Sequence, residues 1–113
     1  MNPGDVVLIR LAQVAGGSSK LRPALLLAAL PGPYQSLLVC GVSTQLARQQ
    51  SNWDERIQPG DSDYTGSGLH QASIIRLSYL HAADPREITG VIGRIDAPRL
   101  DRLLIRLSDH LRP

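Results

Sequence analysis

Arg22-Pro23-Ala24-Leu25-Leu26-Leu27-Ala28, the turn Pro31-Gly32-Pro33, and Ser36-Leu37-Leu38-Val39-Cys40-Gly41-Val42-Ser43 decide the fold. Each apolar run is short and bounded by turn formers, which predicts a strand. Pro23 stands near the start of the first run, where a missing backbone N–H is tolerated. The second run is apolar on both faces, as expected of a central strand covered on two sides. The turn between them predicts an antiparallel hairpin. Upstream, Asp5-Val6-Val7-Leu8-Ile9-Arg10-Leu11 predicts another strand. Residues 12–21 contain Gly16-Gly17-Ser18-Ser19 and predict a flexible loop. Downstream, residues 73–78 and 88–95 predict strands on either side of an Asp84-Pro85 turn. The polar segment 44–71 is too long for an idle loop in a small domain, so it is functional or partly structured. A helix closes the chain: Asp96 suits an N-cap, Pro98 the first turn, and Leu100, Leu103, Leu104, Leu107 and Leu111 form one apolar stripe. The expectation is a mainly β domain spanning residues 1–113, with five or more strands in a curled sheet and a C-terminal helix against it.

With 113 residues, surface scaling gives roughly 6,100 Å² exposed when folded against roughly 17,800 Å² unfolded. That is enough for one modest core, with no room for a separate cofactor domain, and no cofactor is expected. Cys40 has no partner for a disulfide, which suits a reducing compartment. The start of the chain lacks a signal-peptide pattern, and the longest uncharged apolar stretch, 23–33, is too short to span a bilayer. The expectation is a cytoplasmic protein with no membrane partner. Eleven of the twelve basic residues are arginine, whose planar fork suits phosphate; a coding sequence rich in G and C would give the same excess. Four aromatic residues are too few for an extended base-stacking platform.

Most catalytic chemistries find no pattern in the chain. Three histidines and one cysteine are scattered, so no metal site is expected. Asp61 and Asp63 beside Gly60 form half a calcium loop without its closing glutamate, which fits an Asx turn better. Gly16-Gly17 lacks the Gly-Lys-Ser/Thr ending of a phosphate loop, and no Gly-x-Ser-x-Gly elbow is present. The hairpin leaves one constellation. Arg22 opens the first of its strands and Ser43-Thr44-Gln45 ends the second, so Arg22 faces Ser43 or Thr44 at one rim, roofed by the glycine loop. A guanidinium beside a hydroxyl makes an oxyanion or phosphate site.

These residues resemble the PemK/MazF family of toxin endoribonucleases from type II toxin–antitoxin systems. Gly4-Asp5-Val6-Val7 is similar to that family's opening strand, and Leu21-Arg22-Pro23-Ala24-Leu25-Leu26-Leu27 to its Arg-Pro-Ala/Val-Leu-Val signature, the most specific match. Val39-Cys40-Gly41-Val42-Ser43-Thr44-Gln45, Ser73-Ile74-Ile75-Arg76-Leu77 and Gly93-Arg94-Ile95-Asp96 follow in the family's order. The resemblance implies an SH3-like, strongly bent barrel with added helices, usually a homodimer. It implies metal-independent cleavage of single-stranded RNA to 2′,3′-cyclic phosphate and 5′-hydroxyl ends, and neutralisation by a cognate antitoxin. Arg22 and Ser43 take the catalytic positions. Thr44 is the alternative to Ser43, because a register slip of one residue turns the side chain to the other face. Many members carry Gly-Ser-Glu-Gln where this chain has Gly17-Ser18-Ser19-Lys20, without the glutamate.

The metal-free chemistry needs donors on the phosphorane and two proton transfers. Arg22 suits charge stabilisation, since its high pKa makes it a poor base. Ser43 is expected on the phosphate, with Thr44, Gln45 and Lys20 positioning the substrate and His70 a speculative acid or base. Trp53, in the long polar segment, either stacks on a splayed base or packs in a core or interface. Arg56, with Arg48, Arg76 and Arg94, is a candidate for backbone contacts. The leucine stripe either supports a dimer or closes its own barrel. The rival function is a non-catalytic module that grips a protein such as a topoisomerase, or only the antitoxin.

Overall fold

A computed structural model describes residues 1–12 and 19–113. Six strands form one antiparallel sheet: β1 (Asp5–Ala12), β2 (Ser19–Ala29), β3 (Leu37–Ser43), β4 (Glu55–Ile57), β5 (Ser73–Ala83) and β6 (Ile88–Arg94). Their order across the sheet is β4-β5-β3-β2-β1-β6, and helix α1 (Ala97–Leu111) ends the chain. The mainly β fold with an added helix is the one expected. The hairpin pairs Leu25 with Cys40 and Leu26 with Val39, and β3 lies centrally between β2 and β5.

The apolar runs of β2 and β3 feed two cores, one on each face of the sheet. Leu25, Leu27, Cys40 and Val42 face a core shared with Ile57, Ile75, Leu77, Leu103 and Leu107, so this side lies under α1. Ala24, Leu26 and Val39 face a smaller cluster with Val7, Ile9 and Ala83. Alternation between two covered faces is why these strands read as continuously apolar. Register shifts bend the sheet, at Leu26/Ala28 between β2 and β3, at two points between β1 and β6, and at Cys40/Gly41 between β3 and β5. Extra residues of this kind kink a strand and raise its twist. The β6 edge then packs on the turn Thr65–Ser67 so closely that a Cβ on Gly93 would collide with the backbone of Gly66 and Ser67.

Several boundaries differ from the sequence reading. The first two strands pair as far as Ala12 opposite Ser19, so Lys20 and Leu21 belong to β2 and not to a loop. Residues 13–18, including the glycines expected to roof the site, lie outside the described residues. The polar segment 44–71 is partly structured, with short 3-10 turns at Leu46–Arg48 and Thr65–Ser67 and the strand β4 between them.

Arg99 organises that segment. Asp96 caps α1 by accepting from the Arg99 N–H at 2.9 Å. The Arg99 guanidinium grips Asp63 with two bonds, Nε to Oδ2 at 2.7 Å and Nη2 to Oδ1 at 3.0 Å. It also donates to Glu55 Oε1 and to the carbonyl of Arg56, both at 3.0 Å, and to Asp61 Oδ2 at 3.2 Å. Asp61 and Asp63 thus hold an arginine. Burial alone would raise the Asp63 pKa, but hydrogen bonds from Arg99 and the Asp96 N–H hold it below the usual carboxylate range. Leu103 and Leu107 of the stripe close the chain's own core, while Leu111 is exposed.

Candidate active site

The β2–β3 ladder ends at Ala24 opposite Gly41, and the same register sets Arg22 opposite Ser43. Both side chains line an open cleft of about 430 Å³ on the face of the smaller core. Ser43 Oγ accepts from the Gln45 N–H at 3.1 Å, a turn closed on its own backbone. Its O–H remains available to donate. Gln45 lines the cleft as well. Thr44 is absent from the cleft and lines an adjoining hollow of about 390 Å³, together with Lys20, Arg22, Ser43 and Gln45. The structure therefore gathers Arg22, Ser43, Gln45, Thr44 and Lys20 at one rim, with Ser43 alone of the two hydroxyl residues in the main cleft.

Trp53, Arg56 and His70, also singled out from sequence, sit elsewhere. Trp53 is half-buried against the core under α1, its ring centroid 4.9 Å from that of His110. Its carbonyl accepts from Arg106 Nη1 at 2.9 Å. Arg56 is exposed and donates from Nε to Gln49 Oε1 at 3.2 Å. His70 is exposed and lines neither hollow.

Arg48 and Arg76, candidates from sequence for backbone contacts, also line the cleft, together with Tyr79 and His81, which were not singled out from sequence as cleft residues. Arg76 lies opposite Gly41 across the β3–β5 ladder, and Arg48 ends the 3-10 turn that follows β3. The ion pairs separate the arginines by role. Arg86, Arg94, Arg99, Arg102 and Arg106 each pair with a carboxylate. Arg22, Arg48 and Arg76 pair with no described carboxylate, and the buried Arg76 Nε has no hydrogen-bond partner among the described residues. None of the cleft's lining residues is acidic. Three unpaired guanidinium groups in one concave surface give a positive field focused for an anion. Cys40 borders the cleft, but its side chain turns into the core under α1, where burial, and secondarily the charge of Asp54, pushes the thiol up to about 12, so it supplies no thiolate nucleophile at neutral pH.

The far end of the cleft is held by β5. His81 Nε2 lies 3.2 Å from Glu87 Oε2, and Glu87 Oε1 accepts from the Asp84 N–H at 2.8 Å. The contact with Glu87 takes up Nε2 and leaves Nδ1 on the other side of the ring. His81 pairs with Val39, four residues from Ser43 along β3, a separation of about 13 Å at strand rise. One end of the cleft thus offers donors for phosphate, and the other an oriented imidazole.

Arg76 carried a signal in the sequence, as a lone charge inside the apolar strand Ile74-Ile75-Arg76-Leu77. Tyr79 and His81 carried none, because their place depends on the irregular β3–β5 register.

The family model of PemK-like, MazF-like toxins of type II toxin–antitoxin systems matches residues 2–111. No curated protein matches the sequence.

Proposed function

The chain belongs to the PemK-like, MazF-like toxins of type II toxin–antitoxin systems, and we propose that it is an endoribonuclease whose active site is the arginine-lined cleft. The observation that carries this reading is the set Arg22, Arg48 and Arg76, left without carboxylate partners around Ser43. The substrate's 2′-hydroxyl attacks the adjacent phosphorus, the bond to O5′ breaks, and the products are a 2′,3′-cyclic phosphate and a 5′-hydroxyl. Charge builds on the non-bridging oxygens, where preorganised donors contribute most. Arg22 supplies a planar pair of donors there, Ser43 adds its O–H, and Arg48 and Arg76 hold flanking phosphates. Purified protein incubated in EDTA with long unstructured RNA is expected to give cuts at a restricted set of sequences, with cyclic phosphate ends. Intact RNA under these conditions overturns the reading in favour of a module that acts only by binding.

The two hydroxyl residues should separate in the same assay. Ser43→Ala is expected to slow cleavage about tenfold or more, the scale of one hydrogen bond to a charged group. Thr44→Ala, removing a side chain from the adjoining hollow only, is expected to slow it less. The reverse order would move the functional hydroxyl to Thr44.

A type II toxin has an antitoxin, and a cleft built for phosphates also accepts carboxylates. We take the antitoxin to present an acidic, disordered segment that folds into the cleft and competes with RNA. The working unit in this reading is a homodimer. Sedimentation is then expected to give a mass near twice 12.3 kDa, and a stable monomer would remove the dimer from the proposal.

A further inference from the structure

Between the phosphate end of the cleft and His81 lies an aromatic ring held up by an irregularity of the sheet. On β3, Cys40 and Gly41 are neighbours; their partners on β5 are Leu80 and Arg76, so Leu77, Ser78 and Tyr79 have no residue opposite them. Leu77 turns into the core under α1. Asp54 pins the raised segment. Its buried carboxylate accepts from the Ser78 N–H at 3.1 Å and from Ser78 Oγ at 2.9 and 3.1 Å. The Gln50 N–H, donating to Asp54 Oδ2 at 3.0 Å, fixes the carboxylate from the other side. The result is a fixed place for the Tyr79 side chain on scaffold strands.

Gly41 is what lets the ring lie there. A Cβ at Gly41 would sit 3.3 Å from Tyr79 Cδ1 and 3.6 Å from its Cβ and Cγ, so the tyrosine rests on bare backbone. Tyr79 nevertheless remains 44% exposed and lines the cleft. An aromatic ring resting on one strand, with the rest of it open to a cleft lined by unpaired guanidinium groups, is what an unpaired nucleobase recognises in single-strand binding. Trp53, the residue whose loop position suggested stacking, is packed under α1.

We propose that Tyr79, raised by the Asp54-pinned segment over Gly41, forms a nucleobase-stacking subsite next to the phosphate site of Arg22, Ser43 and Arg76. The subsite rests on the endoribonuclease reading of the cleft and adds to it the place where one base of the strand is held. Stacking supplies affinity, while Arg76 and His81 on either side of Tyr79 along β5 supply polar groups for the base edge and its neighbouring phosphate. The ring is preorganised by Asp54 and Gly41, so little ordering entropy is lost when a base arrives.

The test uses single strands of about twelve nucleotides on a deoxyribose backbone, which removes the attacking hydroxyl and blocks cleavage. Three probes of equal length and charge are compared by fluorescence anisotropy: oligo-dA, oligo-dT and a strand of abasic tetrahydrofuran units. The wild-type protein is expected to bind both base-bearing strands more tightly than the abasic strand. Tyr79→Leu should lower affinity for the base-bearing strands about tenfold, within the range for one lost stack, and leave the abasic strand unchanged. Tyr79→Phe should match the wild type, and Gly41→Ala, which displaces the ring without removing it, should fall between. Equal weakening of all three probes by Tyr79→Leu, or no weakening of any, overturns the subsite. Failure of the wild-type protein to bind any strand overturns the nucleic-acid reading of the whole cleft, a result distinct from loss of the subsite alone.

Discussion

Arg22→Ala is expected to slow RNA cleavage at least a hundredfold while leaving the protein folded. Removal of a single preorganised donor from an oxyanion site lowers kcat by about a hundred- to a thousandfold, and Arg22 offers more than one donor. The folded state loses little, because the residue is exposed and pairs with no described carboxylate. Surface changes of that kind shift stability by about 0.5 kcal/mol or less, so thermal unfolding should stay within a few degrees of the wild type. Arg22→Lys is expected to be defective too, since an ammonium group offers a point charge in place of a planar fork. A fall in thermal midpoint on the scale of a core truncation would make Arg22 structural. Retained cleavage in Arg22→Ala would move the phosphate site toward Arg48 and Arg76.

Arg22 and Ser43 were legible because a hairpin converts sequence into position. Two apolar runs around one turn must pair, and the start of one strand then lies beside the end of the other. The same logic places Lys20 and Gln45 at that rim. It fails wherever the ladder is irregular. The strand beginning at Ser73 reads as ending near Ser78, because Ser78-Tyr79-Leu80-His81-Ala82 has no clean alternation. In the structure β5 runs on to Ala83, since three of its residues are accommodated without partners. That raised segment brings Tyr79 into the cleft, and the register beyond it brings His81, which local pattern could not reveal. Asp54, which pins it, stands 24 residues away in the chain.

The short strand β4 was unreadable for a related reason. Glu55-Arg56-Ile57 has no periodicity of its own. Its place at the sheet edge is fixed from a distance, by Arg99, Arg102 and Arg106 on α1 converging on Glu55. Trp53 beside it packs under the helix, where Arg106 donates to its carbonyl, and so lies away from the cleft. Long-range ion pairs between a loop and a helix leave no periodic trace; the nearest signal was the acidic cluster Asp61-Ser62-Asp63 with no metal-binding partner in sequence.

Arg99→Ala is therefore expected to be the most destabilising of these substitutions, with a loss of about 3–5 kcal/mol. The guanidinium is 8% exposed and the Asp63 side chain 4%, so its removal strands a buried carboxylate with Asp61 and Glu55 nearby. Glu55 keeps Arg102 and Arg106, while Asp63 keeps backbone N–H donors, that of Asp96 among them, and no described cation. The pH dependence distinguishes this mechanism from a simple packing defect. In the wild type the folded-state pKa of Asp63 is depressed. Its contribution is then fully present above the unfolded value of about 3.9 and is lost as pH falls through the folded one. Without Arg99, burial and the neighbouring acids should raise the folded pKa of Asp63 above its unfolded value, which reverses the sign: the variant binds more protons when folded and gains relative stability as pH falls. Urea unfolding at pH 7 and near pH 4.5 is expected to show the gap between variant and wild type narrowing in acid. Arg99→Met combined with Asp63→Leu should recover part of the loss, because removing both buried charges costs less than leaving one unpaired. A loss below about 1 kcal/mol, or a gap that does not change with pH, would show that apolar contacts of Leu103 and Leu107 hold the helix without help from the ion pairs.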